Sequence, residues 1–221
     1  MMRFSIPAWT GWSCGPDTDG VKRLPALTRR RLTALGRNAL GAASMLPALD
    51  TARYIFSSRH GEFNRTQTIL HSIAAAEELS PTEFSMSVHH ALTGMLSITH
   101  HNHFGHSAIA AGSESLCFAL IEAAACIAEN PAQPVLLLHY DDALTGEYAV
   151  FDSGAQPAIL ALLLQAEGEN SLTFTMAEKS AAPAGTTPAA RTLWQFLDGD
   201  AAQGVFYGPT HSWHWSRHGM A

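Results

Sequence analysis

The run Ala111-Gly112-Ser113-Glu114-Ser115 holds the residues of this chain best placed for chemistry. Two hydroxyls flank a carboxylate, and a thiol, Cys117, follows about one helical turn further on. Ser113 or Ser115 would suit acyl transfer or hydrolysis if a histidine and an acid relayed the serine proton. The Gly-x-Ser-x-Gly elbow that exposes such a serine is absent, and helix capping is the ordinary role for Ser113. Glu114 has a different prospect. A carboxylate at a helix start is favoured by the positive end of the dipole, but it forms no thioester.

A second group has the residue type of a metal site. His89 and His90 are followed by His100, His101, His103 and His106, and neutral imidazoles bind zinc well. No Cys or carboxylate completes a known ligand pattern among them. A polar loop between a helix and a strand is the preferred reading, and no metal or cofactor is expected.

The elements that must position these residues follow from periodicity. Residues 4–12 are short and apolar and read as an opening strand. Residues 27–46 read as one helix, with Leu32, Leu35, Leu40, Ala43 and Leu46 at helical spacing and Arg29, Arg30, Arg31 and Arg37 on other faces. The arginines read as a solvated face, or as an electrostatic attraction for an acidic partner. Residues 52–57 predict a buried strand, followed by the turn Arg59-His60-Gly61-Glu62. Helices are predicted over 66–78, ended by the breaker Ser80-Pro81, and over 87–97. A short strand over 107–111 leads into the Gly112 turn, and 113–128 is an apolar, Ala-rich helix. Residues 135–138 are apolar throughout, and 135–140 predicts a strand buried in a sheet. Two late strands, 159–165 and 172–176, come next. A flexible segment over 181–190 and a last helix over 189–197 precede a tail with Trp213 and Trp215 among His211, His214 and His218. These tryptophans suit packing on the chain's own sheet or anchorage on a partner. The alternation of strands and helices predicts an α/β fold with a mixed sheet.

Composition narrows the function classes. The chain has 221 residues, fits a single domain over 1–221, and carries a formal net charge of −6, which argues against a nucleic-acid binder. Charged residues make up 14% and hydrophobic residues 47%, a balance that suits either a large core or apolar surface covered by another protein. Cys14, Cys117 and Cys126 form no CxxC pair and fit a reducing cytoplasm. No apolar run reaches membrane-spanning length, and no signal peptide is read at the start.

The ordered series Ser57-Ser58-Arg59-His60-Gly61-Glu62, Ser80-Pro81-Thr82-Glu83-Phe84, Gly94, Gly105 and Ala111-Gly112-Ser113-Glu114-Ser115 resembles the first half of a thiolase-fold β-ketoacyl synthase. More closely, S-R-H-G-E, S-P-T-x-F-S-x-S-V-H and A-G-x-x-S resemble the half-length ketosynthase-like proteins of aryl polyene clusters, which act as chain-length-factor-like partners. His90 departs from the family, standing where Asn is usual, and 135–142 lacks the usual Gly-Gly.

The resemblance implies a thiolase-like α/β fold, a single N-terminal-type half with helices on both faces of a mixed sheet. It places Glu114 at the nucleophile position, or Gly112 if the local Ser-x-Ser-Leu register is used; neither offers a thiol. Decarboxylative condensation needs a thiolate to accept the acyl chain and two polar side chains to stabilise the enolate oxyanion. The family draws its histidines from a second half, in loops such as H-x-T-G-T, which this chain lacks. The resemblance therefore implies a catalytically incomplete subunit that pairs with a full-length ketosynthase and shapes the acyl tunnel. An acyl carrier protein would bring the aryl polyene chain. Pro81, Phe84, Met86, Val88, His90, Ser107, Ile109 and Ala111 are the tunnel and interface residues so implied. The alternative from the residues alone is a stand-alone acyltransferase or thioester hydrolase using Ser113 or Cys117.

Overall fold

Val135-Leu136-Leu137-Leu138 shows no polar alternation because both faces of its strand are covered. Leu136 and Leu138 point into one apolar core, and Val135 and Leu137 into the other. The computed structural model describes residues 1–11, 19–151, 157–181 and 187–217. Trp12, Cys14, His218 and part of the expected flexible segment lie outside these described residues.

One eight-stranded mixed sheet organises the chain: β1 (Met2–Gly11), β2 (Arg53–Ser57), β3 (His106–Ile109), β4 (Val135–Asp141), β5 (Ala158–Gln165), β6 (Ser171–Glu178), β7 (Gln203–Tyr207) and β8 (His211–Arg217). Their order is β3-β2-β4-β5-β1-β6-β8-β7. The β3, β2 and β4 strands are parallel; every other pairing is antiparallel. The helices are α1 (Asp19–Arg23), α2 (Ala26–Arg31), α3 (Ala34–Ala43), α4 (Phe63–Ala74), α5 (Pro81–Met86), α6 (Ala91–Thr99), α7 (Ser115–Glu129) and α8 (Ala189–Asp198), with a 3-10 turn at Gly146–Phe151.

Helices cover both faces, as the thiolase-like reading requires. On one side α7 and α8 pack Leu116, Leu120, Leu193 and Phe196 against Ile55, Leu137, Leu162, Phe174, Trp213 and Trp215. On the other, α3 and α6 pack Leu40, Leu92 and Leu96 against Tyr54, Phe56, Leu138 and Tyr140. Burying each such side chain stabilises the fold by about 1.5–3 kcal/mol.

Several local expectations need correction. The single helix expected over 27–46 is two, α2 and α3, because Thr33 adopts an extended conformation and its hydroxyl caps α3 through the Gly36 N–H at 3.0 Å. Ser80-Pro81 does not terminate the preceding helix. That helix, α4, stops at Ala74, with Ala76 in a left-handed turn, and Ser80 instead caps a new helix, α5. The strand expected over 107–111 ends at Ile109. The two late strands both form, as β5 and β6, with β1 between them in the sheet. Packing of the tail tryptophans on the chain's own sheet is borne out: Trp213 and Trp215 lie on one face of β8, are buried, and both stack with Phe174.

Candidate functional site

The parallel strand β3 leads to Gly112, whose φ of +59° turns the chain into α7. Ser115 fastens this turn. Its hydroxyl accepts from the Ala111 N–H at 2.9 Å and donates to the Gly112 carbonyl at 2.6 Å. Ser113 is exposed and is not the helix cap. The cap position belongs to Glu114, whose side chain makes no bond to its own helix.

Glu114 turns inward and is only 2% exposed. Its carboxylate accepts the Thr210 N–H at 3.0 Å and the His211 N–H at 2.9 Å, and the Thr210 hydroxyl donates a short third bond. The single hydroxyl proton of Thr210 is thereby used, so the 2.8 Å contact between Thr210 Oγ1 and His211 Nδ1 requires a protonated Nδ1. Nδ1 also lies 3.4 Å from the Glu114 carboxylate. Burial alone would raise the Glu114 pKa. The bonds from Thr210 and His211 outweigh it and hold the carboxyl below its ordinary value. The partners are Thr210, in the turn between β7 and β8, and His211, the first residue of β8, and Gly208 in that turn lies so close that a Cβ would fall on the Glu114 carboxylate. The carboxylate thus ties the hairpin of the second half-sheet to the start of α7.

Cys117 is 1% exposed, and burial, reinforced by the charge of Glu114, pushes its thiol well above the ordinary value of 9.0. A protonated, enclosed thiol is a poor nucleophile.

A serine, histidine and aspartate do meet elsewhere, at the carboxyl ends of β2 and β4. Ser57 Oγ is 3.0 Å from His139 Nδ1, and His139 Nε2 is 3.4 Å from Asp141. Ser57 has no exposed surface, so no substrate reaches it. Asp141 also accepts the Ser58 hydroxyl at 2.8 Å and the Arg59 N–H at 2.7 Å. The cluster holds the turn after β2. Burial lowers the His139 pKa while Asp141 opposes the shift, which favours a neutral ring.

The expected tunnel and interface residues divide by exposure. Met86 is buried in the core beside α3 and α6. Phe84 is 65% exposed, and Pro81 and Val88 are exposed with it. His90 is exposed, its ring 5.3 Å from that of His106. Ser107 donates to Glu122 of α7 at 3.2 Å, and Ile109 packs on the α7 core. Ala111 is held through its N–H by Ser115. Their strand, β3, forms the outer edge of the sheet, and the apolar side chains just before it, Ile98 (77%) and Phe104, stand in solvent. Among the described residues no three His, Cys, Asp or Glu side chains converge as metal ligands, and no helix is long and apolar enough to cross a membrane.

Sequence reasoning missed Thr210 and His211. A Gly208-Pro209 turn between two alternating segments was the available signal for the hairpin, but nothing local linked it to Glu114.

The mixed sheet between two helical layers, with a strand, glycine turn and long helix at its parallel edge, is the thiolase-like fold of ketosynthase half-domains. The family model for the β-ketoacyl synthase N-terminal domain matches residues 7–216, and the chain belongs to that family. Among solved structures, a ketosynthase in complex with its chain length factor from Xenorhabdus doucetiae matches with a TM-score of 0.81 at 26% identity, covering 98% of this chain and 100% of that one. A type II polyketide acyl-carrier protein in complex with its ketosynthase matches at 0.61 and 13% identity, over 80% of this chain and 69% of that one. The ishigamide ketosynthase/chain length factor matches at 0.58 and 15%, over 74% of this chain and 54% of that one. No curated protein matches the sequence.

Proposed function

We propose that this chain, acting as one domain, is a chain-length-factor-like subunit that pairs with a full-length ketosynthase and performs no condensation itself. The observation that carries the reading is the state of Glu114. At the place the family resemblance assigns to the nucleophile stands a buried carboxylate whose acceptors are engaged by the chain's own Thr210 and His211. The nearest thiol, Cys117, is enclosed. The solved relative of equal span is a chain of a ketosynthase–chain length factor complex, which supports the pairing.

The contact surface is the open edge of β3 with the exposed apolar residues Phe84, Val88, Ile98 and Phe104. An unpaired parallel edge beside solvent-exposed apolar side chains is normally covered. In the pair, the ketosynthase supplies the cysteine and histidines. The segment from Pro81 to Val88 bounds the acyl tunnel, and an acyl carrier protein delivers the chain, by the motif resemblance an aryl polyene. The complex works in the cytoplasm.

Co-expression with candidate ketosynthases tests this. A stable 1:1 complex, with poor solubility of the lone chain, is expected. A soluble monomer that binds no ketosynthase and turns over a thioester through Ser113 would contradict it.

A further inference from the structure

Arg65 on α4 is buried, and each nitrogen of its guanidinium binds a different part of the chain. Nε donates to Glu62 at 2.9 Å, Nη1 to Glu83 of α5 at 2.6 Å, and Nη2 to the Arg31 carbonyl at the end of α2 at 2.5 Å. Glu62 is buried as well, and its other oxygen accepts the hydroxyl of Thr33, the cap of α3, at 2.9 Å. Burial alone would lower the Arg65 pKa; the bonds and charges of Glu83 and Glu62 outweigh it. A planar guanidinium fixes the directions of its bonds, so this network sets α2, α4 and α5 relative to one another.

The α5 helix has six residues and is held along one face. Met86 at its end is its only buried residue, and Glu83 lies three positions before it, on the same face. Met86 sits in the core and Glu83 is tied to Arg65, so this face is fixed against the body of the chain. Phe84, the next residue round the helix from Glu83, is thereby turned outward. The Glu83 side chain is 37% exposed, and an ion pair so open to water adds little to global stability. The pair therefore bears on where α5 lies more than on whether the chain folds.

We propose that Arg65, through its ion pair with Glu83, is a positioning residue that holds Phe84 in the wall of the acyl tunnel and so limits the chain the ketosynthase pair extends. The role of Phe84 as wall rests on the proposed function; its placement by Arg65 rests on the network itself. Arg65 is enclosed and touches no acyl chain. Removing the Glu83 carboxylate takes the partner from Nη1 and leaves the fixed face of α5 attached through Met86. Arg65 stays held by Glu62 and the Arg31 carbonyl, so the change is confined to α5. A wall residue on a helix free to tilt yields to a longer chain.

The test is a single extension by the reconstituted ketosynthase pair, offered malonyl-carrier and acyl-carrier primers of increasing length and read by intact-mass spectrometry of the carrier. The wild type should show a length beyond which extension falls. The readout is the ratio of extension beyond that limit to extension below it, which a merely structural loss would not raise. Phe84→Ala should raise the ratio about tenfold, the scale of relieving a methylene-sized misfit in an apolar pocket. Glu83→Ala should raise it in the same direction, and Glu83→Gln less, because its amide oxygen still accepts from Nη1. Glu78→Ala, which removes an exposed carboxylate just before α5, should leave it unchanged. A wild-type ratio in Glu83→Ala while Phe84→Ala raises it overturns the proposal and leaves the proposed function standing. A wild-type ratio in Phe84→Ala overturns the tunnel role on which the inference rests, and the inference with it. Loss of ketosynthase pairing in both Glu83 variants, followed by size exclusion, also overturns it, because the ion pair then serves assembly.

Discussion

The Glu114 carboxylate and the Thr210 N–H, 96 residues apart in the chain, meet at 3.0 Å. This bond and its companions from Thr210 Oγ1 and the His211 N–H join the helix start of the parallel half-sheet to the last hairpin. A carboxylate so occupied has an architectural role. Replacing it with alanine leaves buried donors without an acceptor, a loss of about 1–3 kcal/mol. Glu114→Ala should therefore lower the midpoint of urea unfolding, with Glu114→Gln intermediate because one oxygen is retained. In the reconstituted ketosynthase pair, products from the Gln variant should keep the wild-type chain length.

The pH dependence of stability follows from the same site. The folded Glu114 pKa lies below its ordinary value of 4.5, so the carboxylate's contribution is fully present above that value. It is lost as pH falls through the lowered folded value. Unfolding free energy measured from pH 6 downward should fall more steeply for the wild type than for Glu114→Gln.

Gly208 tests the same contact from the other side. A Cβ there would fall on the Glu114 carboxylate, so Gly208→Ala should destabilise the chain by about 1–3 kcal/mol through overpacking. Combined with Glu114→Ala the two losses should not add, because the clash disappears with the carboxylate. A double-mutant cycle by chemical denaturation reads the coupling.

Cys117 is predicted to be inert in the folded chain. Its thiol is buried and its pKa raised. Iodoacetamide at pH 8 followed by peptide mapping should leave Cys117 unmodified until denaturant is added.

The open edge of β3 has a defined polarity. Gly105 and Ile109 offer their carbonyls to Tyr54 and Ser58 of the neighbouring strand and its extension. The main-chain groups of His106 and Ala108 therefore point away from β2. Ala108→Pro removes an outward N–H without touching the inner ladder, as an edge strand tolerates. It should leave the lone chain close to wild-type stability and weaken ketosynthase pairing by about tenfold, or about 1.4 kcal/mol, in a titration.

Much of this architecture was legible in local sequence. The uninterrupted apolar run at β4 announced a strand covered on both faces, and the Ala-rich stretch after Gly112 announced α7. The division of the first long helix was also written locally, in Thr33 three residues before Gly36, but the leucine spacing ran across it and masked the cap. Ser80-Pro81 has the same ambiguity: a proline that ends one helix equally begins another. The alternation of Ser212-Trp213-His214-Trp215-Ser216 carried the period of a strand, though clustered aromatics and histidines looked like a tail. What local pattern could not contain was the partner of Glu114. Its bond to Thr210 depends on how the hairpin folds back over 96 residues, and neither residue type nor spacing encodes that closure.

The central claim is that the bond-making cysteine lies on the neighbouring subunit. The most direct measurement is intact-mass spectrometry of both subunits after the reconstituted pair is incubated with an acyl-loaded carrier protein. The account predicts an acyl adduct on the ketosynthase alone, with the mass of this chain unchanged. An acyl adduct on this chain, mapped to Ser113 or Cys117, would contradict it.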